Sequence, residues 1–338
     1  MTITPTPETA PRRTGAAAAL VRYGYVPLML LGVNGAAIAL MAAGRSKAWL
    51  PVLLILAISL SFAAERVLPY HRPWNAPLGD RGRDLAHAVV NEGLPLLSLA
   101  TFPVIAQLTT ADDKWPDDWP FLLQVLFAIL VADAGLTLAH YVSHKSAVLW
   151  RFHAVHHSVK RFYGFNGLMK HPLHQSAETL AGLAPLLIIG IPVPVAGALT
   201  LAVAVQLLLQ HSNADYRVGP LKQILALNEA HRFHHLKWAG IGDVNFGLFT
   251  LIWDHVLRTH SYDPHRAFTS DDLGMAAKPH FPVRYLAQLA EPFRVGRTAT
   301  GPPVDPPAAA VPGAPPGARP DALADAAPET AAHLTGRR

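Results

Sequence analysis

Long apolar runs separated by short polar stretches dominate this chain, and the lengths of those runs set its class. The first extends from about Tyr25 to Ala43 and the second from about Ala48 to Ala64. Each is near the roughly 20 residues with which a helix crosses a bilayer. Pro51 lies near the start of the second run, where a proline costs a helix least. After a polar stretch bearing Arg66, Arg72, Arg81 and Arg83, a third run covers Leu85 to Leu108. Asn91, Glu92 and Pro95 interrupt it, which predicts a kinked span whose freed backbone groups are met by neighbouring helices. An acidic loop with Asp112, Asp113, Asp117 and Asp118 leads into a fourth span, Pro120 to about Tyr141. The stretch Thr179 to Leu209 is too long for one span and breaks at Gly190-Ile-Pro-Val-Pro194, so it reads as a helical hairpin. The run Phe246 to Trp253 is too short to cross and is expected to pack on its neighbours or lie at the interface.

The expectation is an all-α, polytopic membrane helix bundle of four spans plus a hairpin, occupying residues 21–297. Residues 1–20 do not read as a cleaved signal peptide and are expected to be a disordered tail. Residues 298–338 are Pro/Ala-rich without periodicity and are expected to be disordered too. Composition agrees: 51% of residues are hydrophobic and only 15% charged, which argues against a soluble enzyme. The chain has no cysteine, which removes disulfides, thiolate zinc sites and thiolate-held iron–sulfur clusters. No basic stripe interleaved with aromatics accompanies the net charge of +5, so no nucleic-acid partner is expected.

Three histidine patterns interrupt this scheme: His140-x-x-x-His144, His153-x-x-His156-His157 and His231-x-x-His234-His235. On helices, each box points its imidazoles from one face into one volume. Eight neutral nitrogen donors exceed what one metal needs and suit two, although imidazole alone does not choose among iron, zinc, copper and nickel. If the boxes share a site they lie on one side of the membrane, which an even number of crossings between them satisfies. Lys145, Arg151, Lys160, Arg161 and Lys170, then Arg217, Lys222, Arg232 and Lys237, place that side in the cytoplasm, so the boxes form a cytoplasmic histidine-rich cap. Asp133 lies two helical turns before His140 on the same face, and an ionisable residue at that depth is a functional or buried-partner candidate.

The order of these motifs resembles the fatty acid hydroxylase/sterol desaturase superfamily of integral-membrane non-haem di-iron enzymes. The resemblance covers about Glu65 to Asp263 and rests on Asp133, the three boxes, Gln210-His-Ser-Asn213, Asp243-Val-Asn-Phe-Gly247 and Ile252-Trp-Asp254. It implies that the eight box histidines bind two iron ions, with His211 as a ninth ligand. The reaction it implies uses O2 and two electrons to hydroxylate or desaturate a lipid. Candidates for the lipid are a fatty-acyl, sterol- or hopanoid-like molecule, an ether lipid, a carotenoid or an aminolipid. Asp133, Asp243 and Asp254 are the carboxylates expected to orient ligating histidines, with Glu229 a weaker candidate. No haem, flavin or nicotinamide motif is present, so electrons are expected from a separate ferredoxin, cytochrome or reductase. The Ala/Pro/Arg-rich composition suggests a bacterial inner membrane and tilts the substrate toward a bacterial membrane lipid. A carotenoid hydroxylase or ketolase is the alternative within this chemistry, and a polytopic metal transporter the alternative outside it.

The chain departs from the family pattern at Thr137-Leu138, at Tyr141 and at His174, where the family usually has an aromatic pair, a basic residue and a carboxylate. His171 and His174 therefore stay open as supporting or surface residues. His71, His87, His255, His260, His265, His280 and His333 read as ordinary, and Phe246 and Trp253 as packing residues.

Overall fold

In the computed structural model, which describes residues 15–93, 114–238 and 240–294, every extended element is a helix. Three isolated β-bridges are the only pairings among the described residues. The helices are α1 (Ala16–Ala42), α2 (Trp49–Val67), α3 (81–93), α4 (Phe121–Lys145) and α5 (Ala147–His157). They are followed by α6 (Pro172–Ile188), α7 (Val193–Gln210), α8 (Asn228–His234), α9 (Ile252–Leu257) and α10 (Tyr285–Ala290). Helices α1, α2, α4 and α7 are each long and apolar enough to cross a membrane. The chain is a polytopic membrane helix bundle.

The bundle is built around α7, whose flanks pack on α1, α2 and α4, so that most of it is buried. The outer helices instead expose one apolar side: Leu31 and Ile55 are 77% and 65% exposed, as lipid-facing positions should be. Helix α4 packs most extensively on α6, and glycine permits it. A Cβ on Gly135 would lie 2.2 Å from the carbonyl oxygen of Ala181, so only a glycine lets the two backbones come this close.

Several expected boundaries move. Helix α1 starts at Ala16, inside the stretch expected to be a tail. Arg22 is accommodated because its guanidinium meets Asp215 at 3.5 Å. Wide π-type turns flank Pro27, which has no N–H to give to the helix. Helix α4 continues to Lys145, so the first box forms the last turn of a span. The hairpin is present as α6 and α7, turning at Gly190 (φ 88°) and Pro192, but α6 begins earlier, at Pro172. His171 caps it by accepting the Leu173 N–H. Residues 94–108 of the expected third span, residues 109–113 of the acidic loop, and all but 15–20 of the expected N-terminal tail lie outside the described residues, as do residues 295–338.

Three of the basic residues used to orient the chain are interior. Arg161 is buried against Asp80, with its Nε 2.7 Å from Oδ2. Arg232 is buried on the ring of Tyr70, and Lys170 pairs with Glu178. Arg151, Lys160 and Arg217 remain exposed.

Gly135→Ala is expected to cost about 1–3 kcal/mol through overpacking and to lower Tm in detergent. Gly35→Ala, which meets nothing within 4 Å, leaves Tm unchanged or raises it.

Candidate metal centre

Ser146 is the only residue between α4 and α5, and its extended backbone (φ −102°, ψ 118°) turns the chain abruptly at the end of a membrane helix. The Ser146 hydroxyl then caps α5 by accepting the Leu149 N–H. This corner lays two i, i+4 histidine pairs face to face. His140 Nε2 meets His153 Nε2 at 3.1 Å, and His144 Nε2 meets His157 Nε2 at 3.1 Å. His234 of α8 joins them, its ring 4.4 Å from that of His140. Beside this group lies a second, formed by His156, His211, His231 and His235. In each group the ligand-capable atoms lie within 4.8 Å of one another. All nine histidines singled out from the sequence are thus brought together, but not box by box. The second and third boxes are divided between the groups, because residues three and four apart on a helix diverge enough to face two adjacent centres.

Each group could hold a cation, and the placement of its hydrogens suits one. His140 Nδ1 donates to the Phe246 carbonyl at 2.9 Å, and His144 Nδ1 to the Asp243 carboxylate at 2.9 Å. His234 Nδ1 donates to the Val244 carbonyl at 2.8 Å, His156 Nδ1 to that of Met169 at 3.1 Å, and His211 Nδ1 to that of Leu207 at 3.3 Å. These oxygens carry no proton, so the rings must supply it, which leaves a lone pair on each of those Nε2 atoms. In the second group the Nε2 atoms of His211, His231 and His235 all approach one another within 3.3 Å. The buried His234 Nε2 has no hydrogen-bond partner. Converging buried lone pairs are costly unless a shared electrophile satisfies them, and a divalent transition metal fits both groups.

The three expected carboxylates do different work. Asp243 alone accepts from a histidine, and it also takes Lys145 Nζ at 3.0 Å. Burial pushes the Asp243 carboxyl up, but the His144 and Lys145 contacts outweigh it and hold it below the usual carboxylate value. Asp133 and Asp254 do not touch a histidine, contrary to expectation. Asp133 accepts the N–H groups of Leu248, Phe249 and Thr250 and the Thr250 hydroxyl. Asp254 accepts the N–H groups of Phe246 (2.7 Å) and Gly247 (2.8 Å). Buried loop N–H groups need acceptors, and these two carboxylates supply them from below. They fix the loop 246–250, and the Phe246 carbonyl of that loop orients His140. Phe246 itself packs edge-on against His144 at 5.0 Å. Glu229 pairs with Arg217 at 2.9 Å and meets no histidine.

His174 is buried beside the first group. Its ring lies 4.6 Å from that of His153 and its Nε2 is 2.9 Å from Ser143 Oγ. Of the histidines read as ordinary, His87 is a buried cross-link between the Lys170 carbonyl and Gln288, and those described join neither group. Several residues without a role in the sequence patterns position the centre. Gln210 donates to the Gly247 carbonyl at 2.8 Å. Glu65 accepts the N–H groups of Gly164 and Asn213, tying α2 to both loops flanking the centre. A Cβ on Gly167 would stand 2.9 Å from His211 Nδ1, so glycine is needed for that ring's place. Lys170, which opens the stretch ending in His174, pairs with Glu178 at 2.5 Å.

A model of the fatty acid hydroxylase family matches residues 125–259, an interval that holds all nine histidines and the three aspartates. Over 262 residues the chain is 35% identical to the ornithine lipid hydroxylase OlsE of Rhizobium tropici, a match covering 74% of this chain and 77% of that one. It is 25% identical over 154 residues to the alkylglycerol monooxygenase of Caenorhabditis elegans, covering 45% of this chain and 29% of that one. No solved structure matches significantly.

Burial, reinforced by neighbouring histidines, pushes His153, His156, His157, His231 and His235 well below the usual histidine value of 6.5. His211 is pushed down to about 3, burial again being the main cause. The folded, metal-free protein therefore resists protonation that the unfolded chain accepts. Its stability is present above the unfolded value and is lost as pH falls through about 6.5 and below. Thermal unfolding of chelator-treated protein across pH 8 to 5 should show Tm falling on the acid side. A flat profile would contradict neutral buried rings.

Proposed function

This chain belongs to the fatty acid hydroxylase family, and on that premise we propose that its two histidine groups hold two iron ions and oxygenate a membrane aminolipid. The observation that carries the reading is the pair of adjoining groups, five histidines and four, with Nε2 lone pairs converging in each. Iron bound there supplies the O2 chemistry that an unactivated C–H bond demands, one oxygen atom entering the substrate and the other leaving as water with two electrons and two protons. The protein's own part is positional. Asp243 and the carbonyls of Phe246, Val244 and Met169 hold ring orientation, and burial of both groups keeps bulk water out.

The substrate class follows from the similarity to an ornithine lipid hydroxylase, and the bundle lets a lipid enter sideways between helices. The first box ends a membrane helix, so the centre lies near the level of lipid head groups. The exposed Arg151, Lys160 and Arg217 on that side support a cytoplasmic orientation in a bacterial inner membrane. The two electrons come from a separate donor protein.

The test is lipid analysis of cells that make an ornithine-type aminolipid, with and without the protein. A gain of one oxygen atom is expected; loss of two hydrogens would indicate desaturation instead. His234→Ala in the first group and His156→Ala in the second should each abolish the product. Survival of activity in either variant would contradict a centre that needs both groups. Asp243→Ala should weaken iron binding about 10–100-fold with the fold retained.

A further inference from the structure

A cavity of about 320 Å³ lies in the cap, walled in part by Tyr70, Arg217, Lys222, Glu229, Arg232 and Tyr262. None of the nine histidines lines it. We propose that this cavity is a separate ligand site that takes a phosphate-bearing anion, with the Arg232 guanidinium as its main contact and Lys222 as a second. The phosphate is that of a phospholipid head group or a soluble phosphate, and the position of the cavity favours the head group.

Arg232 carries the inference. It is only 4% exposed, and neither its Nε nor its Nη1 has a hydrogen-bond partner among the described residues. It rests on the face of Tyr70, 3.9 Å from the ring centroid. A ring face offsets part of the cost of taking a guanidinium out of water, but it satisfies none of the N–H groups in the plane. The neighbouring charges are already matched. Arg217 holds Glu229 at 2.9 Å, Arg266 pairs with Asp272, and Glu229 also accepts from the Tyr262 hydroxyl at 3.2 Å. Asp263, half-exposed on the cavity wall, accepts the His265 N–H at 2.8 Å. Lys222 meets no carboxylate among the described residues; its Nζ donates to the Tyr262 hydroxyl at 3.2 Å. Two cations thus face the cavity without an anion of their own. A guanidinium with an Nε–H and an Nη–H to give binds two oxygens of one oxyanion, and a lysine beside it suits the larger charge of a phosphate.

Position is the second support. The Arg217 N–H donates to the carbonyl of Arg22 at 2.8 Å, in the second turn of the spanning helix α1. The turn 219–223 that supplies Lys222 leaves Leu221 50% exposed, and Ile224 beside it is 49% exposed. A basic cavity flanked by exposed apolar side chains at the end of a spanning helix stands where lipid phosphates lie. Its volume is at the small end of ligand sites, enough for a head group while the acyl chains stay in the bilayer. Arg232 also sits between His231 and His234 on α8, about 100° around the helix from His231. An anion held by Arg232 therefore anchors the third box from outside the histidine groups.

The experiment uses full-length protein purified in detergent and phosphate-free buffer, with three probes: a short-chain phosphatidylglycerol, the matching diacylglycerol without phosphate, and inorganic phosphate. Binding is read by native mass spectrometry and by the rise in Tm. Wild type should bind the phosphatidylglycerol and gain Tm, and should not respond to the diacylglycerol. Arg232→Gln should bind the phosphatidylglycerol about tenfold more weakly or worse. Lys222→Gln, at a partly exposed position, should weaken binding about two- to fivefold. This second variant keeps the test open should Arg232→Gln fail to fold, since wild-type affinity in Lys222→Gln would then overturn the site. Response to phosphatidylglycerol alone assigns the lipid head group as the source. Inorganic phosphate bound as tightly as the lipid, and lost in the same variants, assigns the soluble source and keeps the site. A wild type indifferent to both phosphates, or variants that bind them undiminished, would overturn the proposal and leave Arg232 to a carboxylate of the electron-donor protein.

Discussion

Nine imidazoles can be buried side by side only if something satisfies the nitrogen lone pairs they turn toward each other. In this protein backbone carbonyls and one carboxylate take the Nδ1 protons of five rings, which fixes the lone pair of each on Nε2 and aims it inward. The rest of the centre depends on that assignment. Held as they are, these five Nε2 atoms are acceptors, and a cation in each group would satisfy them.

The membrane bundle supplies the rigidity this requires. Gly135 brings α4 against α6, the single residue Ser146 folds α5 back along α4, and α7 delivers His211 from the most buried helix of the bundle. The loop 246–250 lies over the first group as irregular backbone, and Asp133 and Asp254 satisfy its N–H groups from within. These carboxylates thus act on the histidines through the loop. Substituting either would move a carbonyl before it moved a ring.

Much of this was legible in the sequence because it is periodic. Runs of apolar residues locate the helices, and i, i+3, i+4 spacing identifies the eight box histidines with their helical setting, while His211 came from the family resemblance alone. What spacing along one helix cannot express is the direction of each ring once two helices cross. His156 and His157 are neighbours in sequence yet belong to different groups, since adjacent helix residues point about 100° apart and each meets different histidines of the third box. The same limit applies to Asp133: two turns from His140 on one helix face, it points instead at a loop more than a hundred residues away. Gln210 and Lys170 stand in motif stretches that gave them no role, and Glu178 stands in none. Their roles arise from long-range packing that local pattern does not encode.

The central claim is that the two groups are separate halves of one two-metal centre. Anomalous diffraction from crystals of the iron-loaded protein, recorded on both sides of the iron edge, tests it most directly. Two iron peaks are predicted, one inside the set His140, His144, His153, His157 and His234 and one inside the set His156, His211, His231 and His235. A single peak between the sets, or density at both that shows no iron edge, would contradict it.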